Sequence, residues 1–317
     1  MTVRSKFARL AAVLLLGALL IVAVRQFALD QVVAALAAAR PGWLLLAVAI
    51  YFSILPVWTL QWSILAPVAQ RPPFWRMLGV IAMTSSVLNT TPMLVGETAG
   101  VVLLVTRAGL ARAAALSVLA MDQLLVGMAK VGVLVLAAWL LVLPAWMERG
   151  LRALSVVVLA LLVALLGVAW GSRTVDRVAR RLPERASHLL RAVAAALAPL
   201  RSPSRGGGAL AIALAKKVIE LAAIVCIQRA FGVVLPFASA VLVLATLNLA
   251  TLVPVVPGNV GVYEAVVVLA YAHLGVGADR ALGIALAQHA CYFAALALPG
   301  YAWLGRTVPS RSAAAAP

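Results

Sequence analysis

The sequence predicts an all-α, polytopic membrane protein, and three observations carry that expectation. Of its 317 residues, 65% are hydrophobic and 11% charged, where a soluble domain has roughly half and a quarter. Mean hydropathy is +1.10, and a chain this short cannot hide so much apolar surface in one water-soluble core. The apolar residues also fall into runs long enough to cross a bilayer as helices, separated by charged breaks. Composition thereby excludes a soluble enzyme, a disordered chain and a disulfide scaffold. Cys226 and Cys291 sit inside apolar runs and form no metal-ligand pattern.

Taken in order, six runs qualify as single crossings: Phe7–Val24, Gly42–Pro67, Ala113–Leu143, Ala153–Trp170, Ala209–Ala230 and Ala281–Leu304. The first is preceded by Arg4 and Lys6 and has no convincing small-residue cleavage site. It reads as a retained span rather than a removed signal peptide. Ala113–Leu143 is longer than a perpendicular crossing requires, so it tilts or protrudes.

Two further runs, Met77–Thr106 and Phe237–Gly275, are broken by polar centres rich in Pro and Gly, Asn89–Glu97 and Pro254–Glu264. The arms Met77–Thr90 and Met93–Thr106 have 14 residues each. At ~1.5 Å per residue such an arm spans about 21 Å, short of a ~30 Å hydrocarbon core. Both runs therefore read as re-entrant helical hairpins. The rival reading, four short full crossings, leaves the chain ends on the same side, so charge counting does not separate the two.

Charge counting does set an orientation. The net charge is +17. With six spans and two hairpins, seventeen Lys/Arg fall on the side holding both termini and segments 68–76, 107–112 and 171–208, against six on the other. The termini are therefore expected in the cytoplasm. The basic balance suits anionic lipid headgroups rather than nucleic acid. In the segment 171–208, Ala186, Leu189, Leu190, Val193, Leu197 and Leu200 repeat at helical spacing, as in an amphipathic helix lying on the inner leaflet. Arg25–Arg40 is expected to do the same outside, with Phe27, Val32, Val33 and Leu36 toward lipid. Trp43, Trp58, Trp62, Trp75 and Trp146 lie near run ends and suit an interfacial belt. Residues 307–317 read as a disordered tail.

The order span, span, hairpin, span occurs twice, in residues 1–150 and 151–317. Each half has three crossings, so the halves have inverted topology and the hairpins enter from opposite sides. Inverted repeats with broken helices meeting near the midplane are a recurring transporter plan. Leu88-Asn89 with Glu97 is echoed by Leu247-Asn248 with Glu264.

Four acidic residues lie in or beside membrane runs: Glu97, Asp122, Glu220 and Glu264. A charge in lipid costs at least ~2.5–3.5 kcal/mol, so such residues face protein or a wet cavity. Glu97 and Glu264 each follow a Gly-containing turn and open an apolar helix. Two roles are open: capping the helix N-terminus, or lining a central cavity where the hairpin tips meet. Glu220 is spaced to pair with Lys216 or Lys217, four and three residues before it. One of these lysines is otherwise free for a lipid phosphate. Asp122 and Lys130 form a similar set, or Asp122 is interfacial. Arg107 is a headgroup contact or a positive-inside anchor. His273 and His289 read as packed residues. Asn89, Pro92, Gly96, Pro257, Gly258, Asn259, Gly261 and Tyr263 complete the candidate site at the two turns. No metal-ligand spacing, catalytic triad or P-loop is present, so neither an enzyme nor a cofactor is expected.

Pro254–Glu264, PVVPGNVGVYE, resembles the P-x-x-P-G-G-x-G-x-x-E motif of the lysylphosphatidylglycerol synthase transmembrane, or flippase-like, family. Asn89–Leu110, NTTPMLVGETAGVVLLVTRAGL, is similar to that family's P-x-x-x-G-E…L-x-R-x-G segment, with Val105 in place of Leu. Asp122 follows as in the family's next helix. Asn259 stands where the family usually has Gly, and Tyr263 where it usually has Arg. The resemblance covers essentially the whole chain. It implies inverted repeats with re-entrant hairpins and translocation of a lipid headgroup in a bacterial or archaeal inner membrane. The best-known members flip aminoacylated phosphatidylglycerol after making it. This chain has no soluble aminoacyltransferase domain and is expected not to synthesise that lipid. Other stand-alone relatives are associated with hopanoid or polyprenyl-linked glycan pathways. The cargo is therefore expected among anionic or aminoacylated phospholipids, hopanoids and lipid-linked glycans. The alternative is a non-transporting membrane partner of a lipid or glycan (hopanoid or lipid-linked sugar) synthesis enzyme that docks through 171–208; the expected protein partners are a second copy of the chain, as a homo-oligomer, or a lipid-synthesis enzyme.

Overall fold

The computed structural model describes residues 29–91, 93–142, 145–170, 177–181, 183–184, 187, 191, 203–251 and 256–307. Among them the chain is helical throughout, with no strand. The helices are α1 (Leu29–Ala37), α2 (Pro41–Phe52), α3 (Ile54–Leu65), α4 (Phe74–Thr90), α5 (Met93–Thr106), α6 (Arg112–Leu140), α7 (Ala145–Trp170), α8 (Pro203–Ala230), α9 (Phe237–Ala250), α10 (Val262–His273), α11 (Ala278–Leu296) and α12 (Leu298–Thr307). Single 3₁₀ turns occupy Val68–Gln70 and Pro257–Asn259.

Among the described residues, three stretches are long and apolar enough to cross a bilayer: Pro41–Leu65, Arg112–Leu140 and Ala278–Trp303. The expected spans at 42–67, 113–143 and 281–304 coincide with them. The span expected at 153–170 lies within α7, and the one at 209–230 within α8. The span expected at Phe7–Val24, the amphipathic repeat between Ala186 and Leu200, Pro92 and the tail after Thr307 lie outside the described residues.

Two of the long stretches bend at proline. Pro56 cannot donate to the Phe52 carbonyl, and the helix breaks between α2 and α3 at Ser53, whose Oγ donates to Ile50 O at 2.6 Å. Pro299 likewise leaves the Ala295 carbonyl without its helical donor, and α11 gives way to α12 at Ala297. Ser86 Oγ donates to the carbonyl of Ala297 across that break.

α4 and α5 pack side by side as the two arms of the first broken run, and α9 and α10 do so for the second. Thr91, directly before Pro92, is extended (φ −126°, ψ 166°) and ends α4. Glycine then lets the arms close up: a Cβ on Gly96 would lie 2.8 Å from the Cα of Leu88. Arms α5, α9 and α10 have 14, 14 and 12 residues, or about 18–21 Å, below a ~30 Å core.

α8 is the organising helix. It packs against α2, α3, α6, α9 and α11, although Lys216, Lys217 and Glu220 sit in its middle. α1 lies on α11. Here one expectation is corrected: Val32 is buried, because it faces α11, while Val33 and Leu36 point outward and Phe27 lies outside the described residues. The interfacial belt is corrected too. Trp43 and Trp75 are exposed, but Trp62 is fully buried and Trp58 faces the interior, because α3 is inside the bundle rather than at its rim.

Candidate functional site

Where α2–α4, α6, α8, α9, α10 and α11 converge, they line an open cavity of about 280 Å³. Its lining mixes apolar residues such as Ile54, Leu244 and Leu296 with Lys130, Lys216, Lys217, Glu220, Asn89, Asn248 and Asn259. Both broken runs reach it. A Cβ on Gly258 would lie 2.8 Å from the backbone oxygen of Asn89, so the tips of the two turns touch. Gly258, Asn259 and Gly261 all have positive φ (64°, 54° and 86°). Asn259 is the one non-glycine residue with positive φ among those described. Asparagine tolerates that left-handed conformation, which accounts for its occupying the position where the family motif usually has Gly.

Helix α8 presents two ion pairs to the interior, directed to different neighbours. Lys217 Nζ donates to both Glu220 oxygens at 2.9 Å and to Asn248 Oδ1 on α9 at 3.2 Å. This is the i,i+3 pairing read from the sequence. Lys216 turns the other way. Its Nζ is 3.7 Å from Asp122 Oδ1 on α6 and 5.2 Å from the ring centre of Trp58 on α3. Trp58 Nε1 donates to both Asp122 oxygens at 3.2 Å. Asp122 is therefore not interfacial: it is 1% exposed, and its buried charge is matched by Lys216 and hydrogen-bonded by Trp58, as a buried carboxylate requires. The expected Asp122–Lys130 set does not form. Lys130 lines the cavity from the same helix and has no ion pair or hydrogen bond among the described residues.

The second turn is held by Glu264. It is the third residue of α10, and its Oε2 accepts from the backbone N–H of Gly261 at 2.7 Å. That is the capping role, favoured by the unpaired amides at a helix start. Its Oε1 is 2.6 Å from His289 Nδ1 on α11. His289 in turn stacks on Tyr263, with ring centres 4.3 Å apart and planes 16° apart. Tyr263 Oη accepts from Gln288 Nε2 at 2.8 Å. Tyr51, Tyr263 and Tyr292 continue this as an aromatic wall, the first and last in an edge contact at 5.4 Å. His289 is thus not a merely packed residue; no local pattern marks it, since its partner is 25 positions away.

The two acids do not face each other across the cavity. Glu264 reaches it only through His289, and Glu97 is not part of the lining. Glu97 is the fifth residue of α5, past the first turn, because that helix already starts at Met93. Arg107 ends α5, exposed and away from the cavity. Gly96 serves the contact with Leu88, and Gly261 the helix start. Pro257 opens the 3₁₀ turn.

The two turns that meet at this cavity are the two segments that carry the flippase-like motifs. A family model described as "Lysylphosphatidylglycerol synthase TM region" matches residues 9–300. The chain belongs to that family. No curated protein and no solved structure matches it. Within the family motifs, the acid of the second segment caps a helix, the acid of the first lies outside the cavity lining, and the following helix contributes Asp122 to the Lys216 pair.

Proposed function

We propose that this membrane protein moves the headgroup of a phospholipid or another lipid-linked polar group between leaflets through the central cavity, while the acyl chains stay in the bilayer. The observation that carries this reading is a charged, hydrogen-bonding cavity lined by apolar helices at the meeting point of two interrupted runs. Non-helical backbone at membrane depth is tolerated only against protein or water, and buried ionisable groups in such a place mark pathways. A cavity of about 280 Å³ is near the lower end of small-molecule pockets. It accommodates a headgroup and excludes two acyl chains. In the same proposal the chain performs no covalent chemistry and has six spans, two re-entrant hairpins and inverted halves. It sits in an inner membrane with both termini cytoplasmic.

The test is reconstitution into liposomes carrying a fluorescent phospholipid in both leaflets, followed by quenching from outside. Wild-type protein is expected to expose the inner-leaflet label, and Lys217→Met with Glu220→Gln to slow that exposure at equal reconstitution. Quenching indistinguishable from protein-free liposomes, across anionic and zwitterionic labels, refutes the proposal.

A further inference from the structure

Among the described residues, the charges at the cavity are matched in pairs with one cation left over. Asp122 answers Lys216. Glu220 answers Lys217, whose three N–H bonds are all used, two on Glu220 and one on Asn248 Oδ1. Lys130 has no counter-charge within 4 Å among the described residues and is mostly buried on α6. A second donor is left over in the same lining. Asn248 is 3% exposed, and its Nδ2 has no acceptor among the described residues. Lys217 fixes its orientation: with Oδ1 held at 3.2 Å by that ammonium, the amide N–H₂ is the end left without a partner among the described residues. A buried donor without an acceptor costs ~1–3 kcal/mol, so a site of this kind favours a ligand that accepts hydrogen bonds and carries negative charge.

We propose that Lys130 Nζ and Asn248 Nδ2 bind the phosphate of an anionic phospholipid headgroup, with Lys217 as the positioning residue that aims the Asn248 amide. A phosphodiester fits on both counts. Its single negative charge cancels the surplus of one, and its two unesterified oxygens accept from the two unused donors. Glu220, the carboxylate among the described lining residues, offers little to a cationic headgroup because Lys217 takes it, and Asp122, behind the lining, is taken by Lys216. Glu264 is turned to Gly261 and His289. The site therefore selects an anionic headgroup over an aminoacylated, cationic one. The lipid source rests on the translocation reading above; the anion site itself does not.

The experiment is native mass spectrometry of the full-length protein in detergent, titrated with dihexanoyl-phosphatidylglycerol, dihexanoyl-phosphatidylcholine, lysyl-phosphatidylglycerol of the same chain length, and inorganic phosphate. Wild type is expected to bind the anionic lipid at least about tenfold more tightly than the other two lipids, which share its phosphodiester but bring an added cation beside Lys130 with no free carboxylate to answer it. Lys130→Met is expected to lose that preference and Lys130→Arg to keep it. Asn248→Asp keeps an oxygen for Lys217 but replaces the donor with a carboxylate oxygen, and is expected to lose binding as well. If Lys130→Met does not fold, Asn248→Asp and Lys130→Arg still decide the matter. Equal binding of the three lipids, or unchanged binding in folded Lys130→Met or Asn248→Asp, overturns the site. Inorganic phosphate binding as tightly as the anionic lipid overturns the lipid source. Failure of wild type to move lipid in liposomes refutes translocation while leaving these binding ratios measurable.

Discussion

Asp122→Asn removes one charge from the most enclosed ion pair among the described residues. The side chains of Lys216 and Asp122 are 9% and 2% exposed, with Nζ 3.7 Å from Oδ1. At an effective dielectric of ~20, two charges at that separation attract by about 4.5 kcal/mol. Asparagine keeps the volume and still accepts one bond from Trp58, so the main loss is the counter-charge of Lys216. Breaking a buried pair by removing one partner costs ~3–5 kcal/mol, whereas removing both is far cheaper. The 3.7 Å separation is long for such a pair, which places the expected loss near ~3 kcal/mol. The measurement is a double-mutant cycle of Asp122→Asn, Lys216→Met and the combination, read by reversible unfolding in mixed micelles. The double variant is expected to recover at least half of what Asp122→Asn loses. Additivity of the two single changes within ~0.5 kcal/mol would refute the assignment of Lys216 to Asp122.

Other sites give further tests. A Cβ at Gly300 would lie 2.1 Å from the Ala82 backbone oxygen; Gly300→Ala is expected to cost ~1–3 kcal/mol in the same unfolding assay, because backbone cannot step aside. Gly79→Ala meets only the ring of Trp303, which can turn away, and is expected to cost less than Gly300→Ala. Asn259→Gly is expected to leave the unfolding midpoint unchanged, while Asn259→Val, forced to φ near 54°, loses ~1–2 kcal/mol. Orientation is checked with single cysteines at Arg107 and Arg149, labelled by an impermeant maleimide in intact spheroplasts. The native Cys226 and Cys291 are buried and give little background. Arg149→Cys is expected to react from outside and Arg107→Cys only after lysis; the opposite order would reverse the topology.

What could be read in advance was local. Proline, glycine and asparagine act on their own backbone, so the breaks at Thr91 and Pro257–Gly261 stand in the sequence where they stand in the structure. The Lys217–Glu220 pair was legible for the same reason, since i,i+3 spacing on a helix brings the two together. Partners supplied by another helix were not. Asp122 finds Lys216 across 94 positions, and Glu264 finds His289 across 25; no period within one run encodes either. The apparent symmetry of Glu97 and Glu264 also misled. Each follows its proline, but α5 begins right after Pro92, while α10 cannot begin before the left-handed Gly261. The same number of turns therefore does not separate each acid from its helix start, and only Glu264 reaches the unpaired amides. The tryptophans failed for a related reason. Position near a run end suggests an interface, but α3 is surrounded by α2, α4, α6 and α8, so Trp58 and Trp62 have no bilayer surface to occupy.

These placements tie the polar groups to the breaks. An uninterrupted apolar helix could not keep Lys216, Lys217 and Glu220 at its centre unless its neighbours supplied opposite charge and hydrogen bonds. Asp122 from α6 and Asn248 from α9 do so, and Asn248 lies in the last turn before the second break. The break is what frees the chain beyond α9 to turn back: Gly258 packs against the Asn89 carbonyl, and Glu264 fixes the start of α10 against His289. Loosening that turn should therefore be felt at the cavity rather than at the surface. Glu264→Ala removes the bond to the Gly261 amide, worth ~1 kcal/mol as a cap, and also the carboxylate that faces His289 Nδ1. The consequence is local. Stability should fall by little more than the cap, while the stacked Tyr263–His289 wall loses its anchor and headgroup binding weakens. A loss of stability with unchanged binding would mean that the turn supports the fold but not the site.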